Sequence, residues 1–239
     1  MNKLILATAA LALSTGFSMA QTVRMGTEGA YPPYNFINDK GEVDGFEREL
    51  GDALCEKAGL TCEWVTNEWD SIIPNLLSGN YDTIIAGMSI TEERQQTIDF
   101  TQNYYPPAAS AYLAASEGVD LKGVIAAQIG TIQADYVAES GATLLEFATL
   151  DDTIAAVKNG EADAVFADKD ALVPFSPDEG GDLLWVGEDI PLGGGIGVGL
   201  RKSDTELRGK LDAAIGEMKA DGSLNTMIVK WFGDKAATF

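Results

Sequence analysis

The chain of 239 residues contains no histidine, and this absence restricts the chemistry open to it. Without an imidazole, neither a Ser-His-Asp triad nor a Cys-His pair can be built. Most zinc and iron sites also include histidine among their ligands. We therefore expect no catalytic residues of these kinds and no metal site.

Basic residues are also scarce. The sequence has 16 lysines and arginines against 37 aspartates and glutamates, which gives a formal net charge of −21. A protein that binds nucleic acid irrespective of sequence needs a basic surface, so that class is excluded, and anionic membranes would repel the chain. The carboxylates favour solubility and, modestly, the attraction of cationic solutes.

Long apolar runs are missing except near the start of the chain. Lys3 precedes an apolar run from Leu4 to Leu13, and Ser18-Met19-Ala20 forms a small-residue cleavage site. This pattern predicts a signal peptide over residues 1–20, cleaved after Ala20, and export to the periplasm. No cysteine lies near this site, which argues against a lipoprotein.

Cysteine occurs only twice, as Cys55 and Cys62, with six residues between them. An even number of cysteines in an exported protein predicts a disulfide. A pair of buried thiols is the alternative.

Strand and helix patterns alternate through the first hundred residues. Strands are predicted at 23–27, 61–66 and 82–86, separated by an amphipathic helix over 45–58 and by a helix that runs from Asp70, as its N-cap, to Leu77. This order predicts a parallel α/β sheet.

The pattern then returns in the second half. Strands are predicted at 124–128, 144–147 and 162–167, with helices beginning at Thr131 and Asp152. Residues 79–87 and 160–168 align without a gap, a weak repeat that indicates two similar α/β lobes.

The last part of the chain predicts two further helices. Ser203 and Glu206 form a predicted capping box for a helix that ends at Gly222, and a final helix covers 224–231. The glycine-rich run at 193–200 does not fit G-x-G-x-x-G, and no Walker sequence occurs, so no cofactor is expected.

The residues that follow the predicted strands are informative because ligands of open α/β sheets bind at the carboxyl ends of strands. The turn from Gly87 to Ser89 follows one such strand and opens a helix that carries Arg94. Backbone N–H groups and a guanidinium suit a carboxylate. Asp168, which follows the equivalent later strand, and the Ser89 hydroxyl suit an ammonium group.

Two aromatic side chains lie at similar strand ends. Tyr31 and Trp69 can cover an apolar or cationic side chain. Together with the preceding groups, they complement a zwitterionic amino acid.

Several motifs at consistent spacing make the sequence closely similar to the solute-binding proteins of polar amino-acid ABC transporters. That group includes the lysine/arginine/ornithine-binding and histidine-binding proteins, and the resemblance covers residues 23–232. It rests on Gly26-Thr27-Glu28-Gly29-Ala30-Tyr31-Pro32-Pro33, Gly45-Phe46-Glu47, Trp69-Asp70, Met88-Ser89-Ile90-Thr91-Glu92-Glu93-Arg94, Gly130-Thr131, Asp163-Ala164-Val165 and Gly199-Leu200-Arg201-Lys202. The cysteine spacing also resembles that subgroup's disulfide.

The resemblance implies a two-lobed α/β periplasmic-binding-protein fold of type II. Each lobe would contain a mostly parallel sheet flanked by helices, and two hinge crossings would join the lobes. Lobe 1 would comprise residues 21–109 and 197–239, and lobe 2 residues 110–196.

The resemblance also implies roles for individual residues. Arg94, helped by the Gly87 N–H, would hold an α-carboxylate, and Ser89 and Asp168 would meet the α-ammonium. Glu28 would face the distal charge of the ligand. The full expected ligand set is Glu28, Tyr31, Trp69, Ala86, Gly87, Ser89, Arg94, Thr131 and Asp168.

The expected function is to bind a polar, cationic amino acid and deliver it, as a monomer, to an ABC transporter permease by hinge closure. Ala86 and Gly87 stand where the relatives have serines, which adds space. An opine or a neutral amino acid such as glutamine is therefore the alternative ligand. A periplasmic dehydratase on the same scaffold is a remote alternative, and we expect no enzymatic activity.

Overall fold

The computed structural model describes residues 22–239, so the predicted signal peptide lies outside the described residues. In chain order the strands are β1 (Thr22–Thr27), β2 (Ala30–Tyr31), β3 (Asn35–Ile37), β4 (Val43–Asp44), β5 (Thr61–Thr66), β6 (Thr83–Ile84), β7 (Asp99–Tyr105), β8 (Ala109–Ala114), β9 (Val124–Gln128), β10 (Thr143–Phe147), β11 (Ala164–Asp168), β12 (Leu184–Pro191) and β13 (Ile196–Leu200).

Eight α-helices accompany these strands in the described part of the chain. They are α1 (Phe46–Lys57), α2 (Ile72–Leu77), α3 (Glu92–Thr97), α4 (Ile132–Ser140), α5 (Leu150–Lys158), α6 (Lys169–Leu172), α7 (Thr205–Ala220) and α8 (Ser223–Phe232). None of these helices is long and apolar enough to cross a membrane.

Two five-stranded sheets follow the same plan. The order in the first is β5-β1-β6-β13-β7, and in the second it is β10-β9-β11-β8-β12. In each, the first three strands pair in parallel and the last two join antiparallel. The last strand of each order runs in the same direction as the first three, so only β13 in one sheet and β8 in the other run opposite. The sheets are therefore mixed but mostly parallel, as the sequence predicted. We call the part built on the first sheet lobe 1 and the part built on the second lobe 2.

The chain passes between the sheets twice. It leaves lobe 1 after β7 through residues 106–108 and returns from lobe 2 after β12 through residues 192–195. The C-terminal helix α8 then packs on lobe 1, where the Phe232 ring lies 4.7 Å from Tyr34 and 5.2 Å from Phe46 between ring centroids. This contact fixes the end of the described chain to the lobe where it begins.

The cysteines form the predicted disulfide. Cys55 in α1 is bonded to Cys62 in β5, with their Cα atoms 6.2 Å apart. A closed loop this short stabilises the fold by roughly 2–3 kcal/mol in the chain-entropy model. The bond fixes α1 to the edge strand of the first sheet.

Two predicted helix caps are wrong. Asp70 lies inside a 3₁₀ turn, Trp69–Ser71, and α2 begins after Ser71. Ser203 is not a cap either, because α7 begins at Thr205 and the Ser203 hydroxyl donates to the neighbouring Asp204 carboxylate. In both cases the next residue in the chain, Ser71 or Asp204, is the N-cap. Sequence spacing alone does not show which of two adjacent polar residues takes that position.

Candidate functional site

All nine predicted ligand residues lie around one cavity between the two sheets. Its empty volume is about 290 Å³. The lining comprises Glu28, Tyr31, Trp69, Ala86, Gly87, Ser89, Arg94, Gln128, Thr131, Ile132, Gln133 and Asp168. The cavity thus receives residues from both lobes.

The lobe 1 wall includes helix α3, which carries Arg94, and the turn that precedes it. Thr91 is the N-cap of α3, and its hydroxyl accepts a hydrogen bond from the Arg94 backbone N–H at 3.1 Å. The guanidinium donates to the carbonyl oxygens of Ser89 at 2.9 Å and Gly130 at 3.2 Å. It also lies 5.4 Å from the centroid of the Trp69 ring. Arg94 is thereby held in place by neutral groups.

Gly87 lines the cavity as predicted, but its N–H does not face a ligand. Its N–H donates to the Glu47 carboxylate at 2.6 Å, so this N–H is not available to a ligand and that part of the prediction is wrong. Gly87 has φ +63°, a conformation that favours glycine. A Cβ there would lie 3.4 Å from the Tyr31 ring, which is an ordinary van der Waals contact.

The lobe 2 wall is formed by Asp168 and the start of α4. The Asp168 carboxylate accepts from the Tyr31 hydroxyl at 2.7 Å and from the Gln133 amide at 2.9 Å. It makes no capping bond to α6, although it precedes that helix. The Thr131 hydroxyl accepts from the Ala134 N–H and donates to the Gln128 carbonyl, so it serves the N-terminus of α4.

Burial changes the ionisation of the two cavity carboxylates. It raises the pKa of Glu28 to about 7, although the hydrogen bond donated by the Gln128 amide at 2.6 Å opposes this rise. Burial also raises the pKa of Asp168 to about 6, against the stabilising bond from Tyr31. Desolvation lowers the pKa of Arg94, which nevertheless stays charged.

Contacts across the cavity hold the two lobes together. Tyr31 bonds to Asp168 and Gln128 to Glu28, and the Trp69 indole N–H donates to the Gly130 carbonyl at 3.3 Å. These bonds join residues far apart in the chain, and they enclose the cavity. The conformation is therefore a closed one.

Three lining residues lie outside the predicted ligand set. Gln128 ends β9, and Ile132 and Gln133 lie in the first turn of α4. Their signal in the sequence was their place at the end of a predicted strand and at the start of the following helix. Glu47, behind Gly87, carried no such signal because its contact depends on a partner 40 positions away.

Comparison with known proteins gives relatives along nearly the whole chain. A family model described as bacterial extracellular solute-binding proteins, family 3, matches residues 23–234. The L-arginine-binding protein of Pseudomonas aeruginosa is 33% identical, over 95% of this chain and 93% of its own. The lysine/arginine/ornithine-binding periplasmic protein of Escherichia coli strain K12 is 33% identical, over 97% of each chain.

A solved structure is more similar. It is that of a periplasmic His/Glu/Gln/Arg/opine family-binding protein from Silicibacter pomeroyi in complex with lysine. The two sequences are 74% identical, the match covers 91% of this chain and 100% of the other, and the TM-score is 0.89.

Proposed function

Because the chain belongs to the bacterial extracellular solute-binding proteins of family 3, we propose that it binds a cationic α-amino acid of the lysine, arginine or ornithine kind. The observation that carries this proposal is the charge of the cavity. When ionised, Glu28 and Asp168 outnumber Arg94 by one negative charge. An amino acid with a cationic side chain has a net charge of +1 and balances that excess, whereas a neutral one leaves a carboxylate buried without a cation.

The ligand's α-carboxylate would bind Arg94. Within residues 22–239, no carboxylate lies within ion-pair distance of this guanidinium, whose bonds go to the Ser89 and Gly130 carbonyls. A ligand carboxylate would supply the charge-assisted bond that the backbone cannot. Free N–H groups in the first turn of α4 would assist, since a helix N-terminus favours anions.

The ammonium and side chain of the ligand would take the remaining polar groups. Asp168 would accept from the α-ammonium, with the Ser89 hydroxyl beside it. The side chain would extend between Tyr31 and Trp69 toward Glu28. Aromatic faces favour a cation along this route.

The two lobes would close on the ligand, and the closed form would be the one that the transporter recognises. Residues 106–108 and 192–195 would serve as the hinges, which differ by one residue from the lobe boundaries predicted after 109 and after 196. A ligand that contacts both lobes favours the closed form only by binding that form more tightly. We propose that the closed monomer, in the periplasm, then presents the amino acid to an ABC transporter permease without altering it chemically.

Glu28→Gln tests whether this carboxylate recognises the ligand's side-chain charge. We expect lysine and arginine to lose about 2–3 kcal/mol of binding free energy, because a charged hydrogen bond is lost. Glutamine should lose less than about 0.5 kcal/mol. Calorimetric titrations, with a thermal-shift panel that adds histidine and octopine, measure the difference.

The matched control is Glu63→Gln, which removes the same charge from an exposed position on β5. It should leave all affinities unchanged. Equal losses for lysine and glutamine in the Glu28 variant would show that Glu28 does not distinguish charge, and preferential binding of octopine would favour the opine alternative.

The ligand-free protein should close more readily as the pH falls. Burial in the closed cavity raises the pKa of Glu28 to about 7. In an open form that exposes Glu28 to water, the pKa would return to its ordinary value, so closure at neutral pH would bind a proton. The stability that this proton gives to the closed form is complete below the ordinary pKa of glutamate. It is lost progressively as the pH rises from there through about 7. Asp168, whose pKa rises to about 6, acts in the same direction.

Through Glu28 alone, the ratio of closed to open molecules should rise on the order of 50-fold between pH 8 and pH 5. Small-angle X-ray scattering of ligand-free protein measures the change in radius of gyration. Glu28→Gln should remove most of the effect, and saturating lysine should keep the protein closed at both pH values. If the ligand-free protein is open at pH 8, an equal radius of gyration at pH 5 would contradict the prediction.

A further inference from the structure

A carboxylate with no access to solvent lies behind the cavity wall. Glu47, in the first turn of α1, has an exposed fraction of 0%. Its Oε1 accepts hydrogen bonds from the Gly87 N–H and the Tyr104 hydroxyl, and its Oε2 accepts one from the Asn35 amide at 2.7 Å. A buried carboxylate is costly unless its oxygens are well bonded, so three donors indicate a specific arrangement.

Asn35 extends this arrangement to a second part of the cavity wall. It is also fully buried, and its Oδ1 accepts from the Gly29 N–H at 2.6 Å. Gly29 directly follows Glu28, and Gly87 directly follows Ala86. Both glycines have positive φ angles, +76° and +63°, so each forms a turn that only this kind of residue adopts readily.

The two turns thus share one internal anchor. The Gly29 turn carries Glu28 and leads to Tyr31, and the Gly87 turn leads to Ser89. Both turns present their side chains to the cavity while their backbone N–H groups are held from behind. A shift in the anchor would move both sets of cavity groups together.

We propose that Glu47 and Asn35 are positioning residues that set the relative placement of the two lobe 1 turns, and through them the affinity for the ligand. This inference rests on the proposed amino-acid-binding function. Neither side chain lines the cavity. Their influence on binding therefore passes through Gly29 and Gly87.

The direction of each hydrogen bond makes the proposal testable. In Glu47→Gln, the amide oxygen can still accept from Gly87 and Tyr104, but the amide NH₂ then faces the NH₂ of Asn35. Rotating Asn35 relieves this conflict only by presenting its NH₂ to the Gly29 N–H. No arrangement of the single variant restores all the bonds, because two donors meet in each case.

A second substitution restores them. With Asn35→Asp added, the new carboxylate accepts from the amide introduced at position 47 through one oxygen and from the Gly29 N–H through the other. Every bond of the original arrangement again has a donor and an acceptor, and the charge has moved from one side chain to its partner. The pair of variants therefore separates the hydrogen-bond pattern from the identity of either side chain.

The experiment is a calorimetric titration with lysine at about 20 °C of the wild type, Glu47→Gln and the double variant that combines Glu47→Gln with Asn35→Asp, with melting temperatures measured in parallel. The control is Tyr81→Phe, which removes a buried lobe 1 hydrogen bond to the Ile72 carbonyl outside this arrangement. We expect Glu47→Gln to raise Kd at least about tenfold and the double variant to return within about threefold of the wild type. Tyr81→Phe should lower the melting temperature without changing Kd.

Two results would overturn the inference. One is a folded Glu47→Gln protein that melts earlier yet binds lysine as the wild type does, since the residues would then serve stability alone. The other is a double variant that regains the melting temperature but not the affinity. A wild type that binds no amino acid would instead contradict the proposed function, and the wild-type titration distinguishes that case.

Discussion

Arg94→Ala should weaken lysine binding by about 3–5 kcal/mol, because removal of one partner leaves the ligand's α-carboxylate buried without a cation. This corresponds to a rise in Kd of more than two orders of magnitude. The backbone carbonyls of Ser89 and Gly130, which the guanidinium contacts, would repel the carboxylate rather than hold it. Isothermal titration calorimetry of the folded variant measures the loss.

Two controls accompany this prediction. Arg94→Lys keeps the charge but loses the planar fork, so its affinity should fall between those of the wild type and the alanine variant. Arg48→Ala removes an arginine of α1 that pairs with Asp52 on the exposed side of that helix, and it should leave binding unchanged. An Arg94→Ala protein with wild-type affinity would show that the carboxylate binds elsewhere.

Asp168→Asn should have the second-largest effect. We assign this carboxylate to the α-ammonium, and loss of the charge should cost about 2–4 kcal/mol for every α-amino acid tested. Lysine and glutamine should therefore weaken alike, in contrast to the selective loss expected for Glu28→Gln. Titration of the same ligand panel gives both comparisons.

The matched control lies two residues along. Asp170 accepts a hydrogen bond from the Tyr105 hydroxyl at 2.8 Å and so also joins the lobes, but it does not line the cavity. Asp170→Asn should weaken ligand binding far less than Asp168→Asn does. Equal losses in the two variants would mean that Asp168 acts by holding the lobes together and not by contacting the ligand.

Local patterns were sufficient to predict much of the site. The sequence around Arg94 predicted a buried strand, a small-residue turn and a helix with acidic residues in its first turn, and the structure has β6, this turn and α3 in that order. The aligned segments at 79–87 and 160–168 include β6 and β11, which take the central place in their sheets. Short-range signals of this kind are strong because they depend on neighbours in the chain.

Other features depend on distant partners and could not be predicted. The strands β7 and β8, at Asp99–Tyr105 and Ala109–Ala114, lie in different sheets and are largely buried, so they lack the alternation of a half-exposed strand. The Gly87 N–H was expected to face a ligand, but it faces Glu47. Sequence spacing shows that a turn exposes an N–H, and only the packed structure shows which side of the turn a partner occupies.

The same reasoning applies to Gln128. Its place at the end of β9 was predicted, but its bond to Glu28 spans 100 positions and joins the two lobes. This bond determines the surroundings of the carboxylate that we assign to the ligand's distal charge. The charge of the cavity is the sum of side chains from both lobes, so it depends on how the two lobes pack.

Ligand selectivity is tested most simply by a calorimetric titration of the wild-type protein with lysine and with glutamine, after unfolding and refolding to remove any co-purified ligand. We expect one site per molecule and at least about tenfold tighter binding of lysine. Equal or tighter binding of glutamine, or no binding of either, would contradict the claim that the excess negative charge of the cavity selects a cationic amino acid.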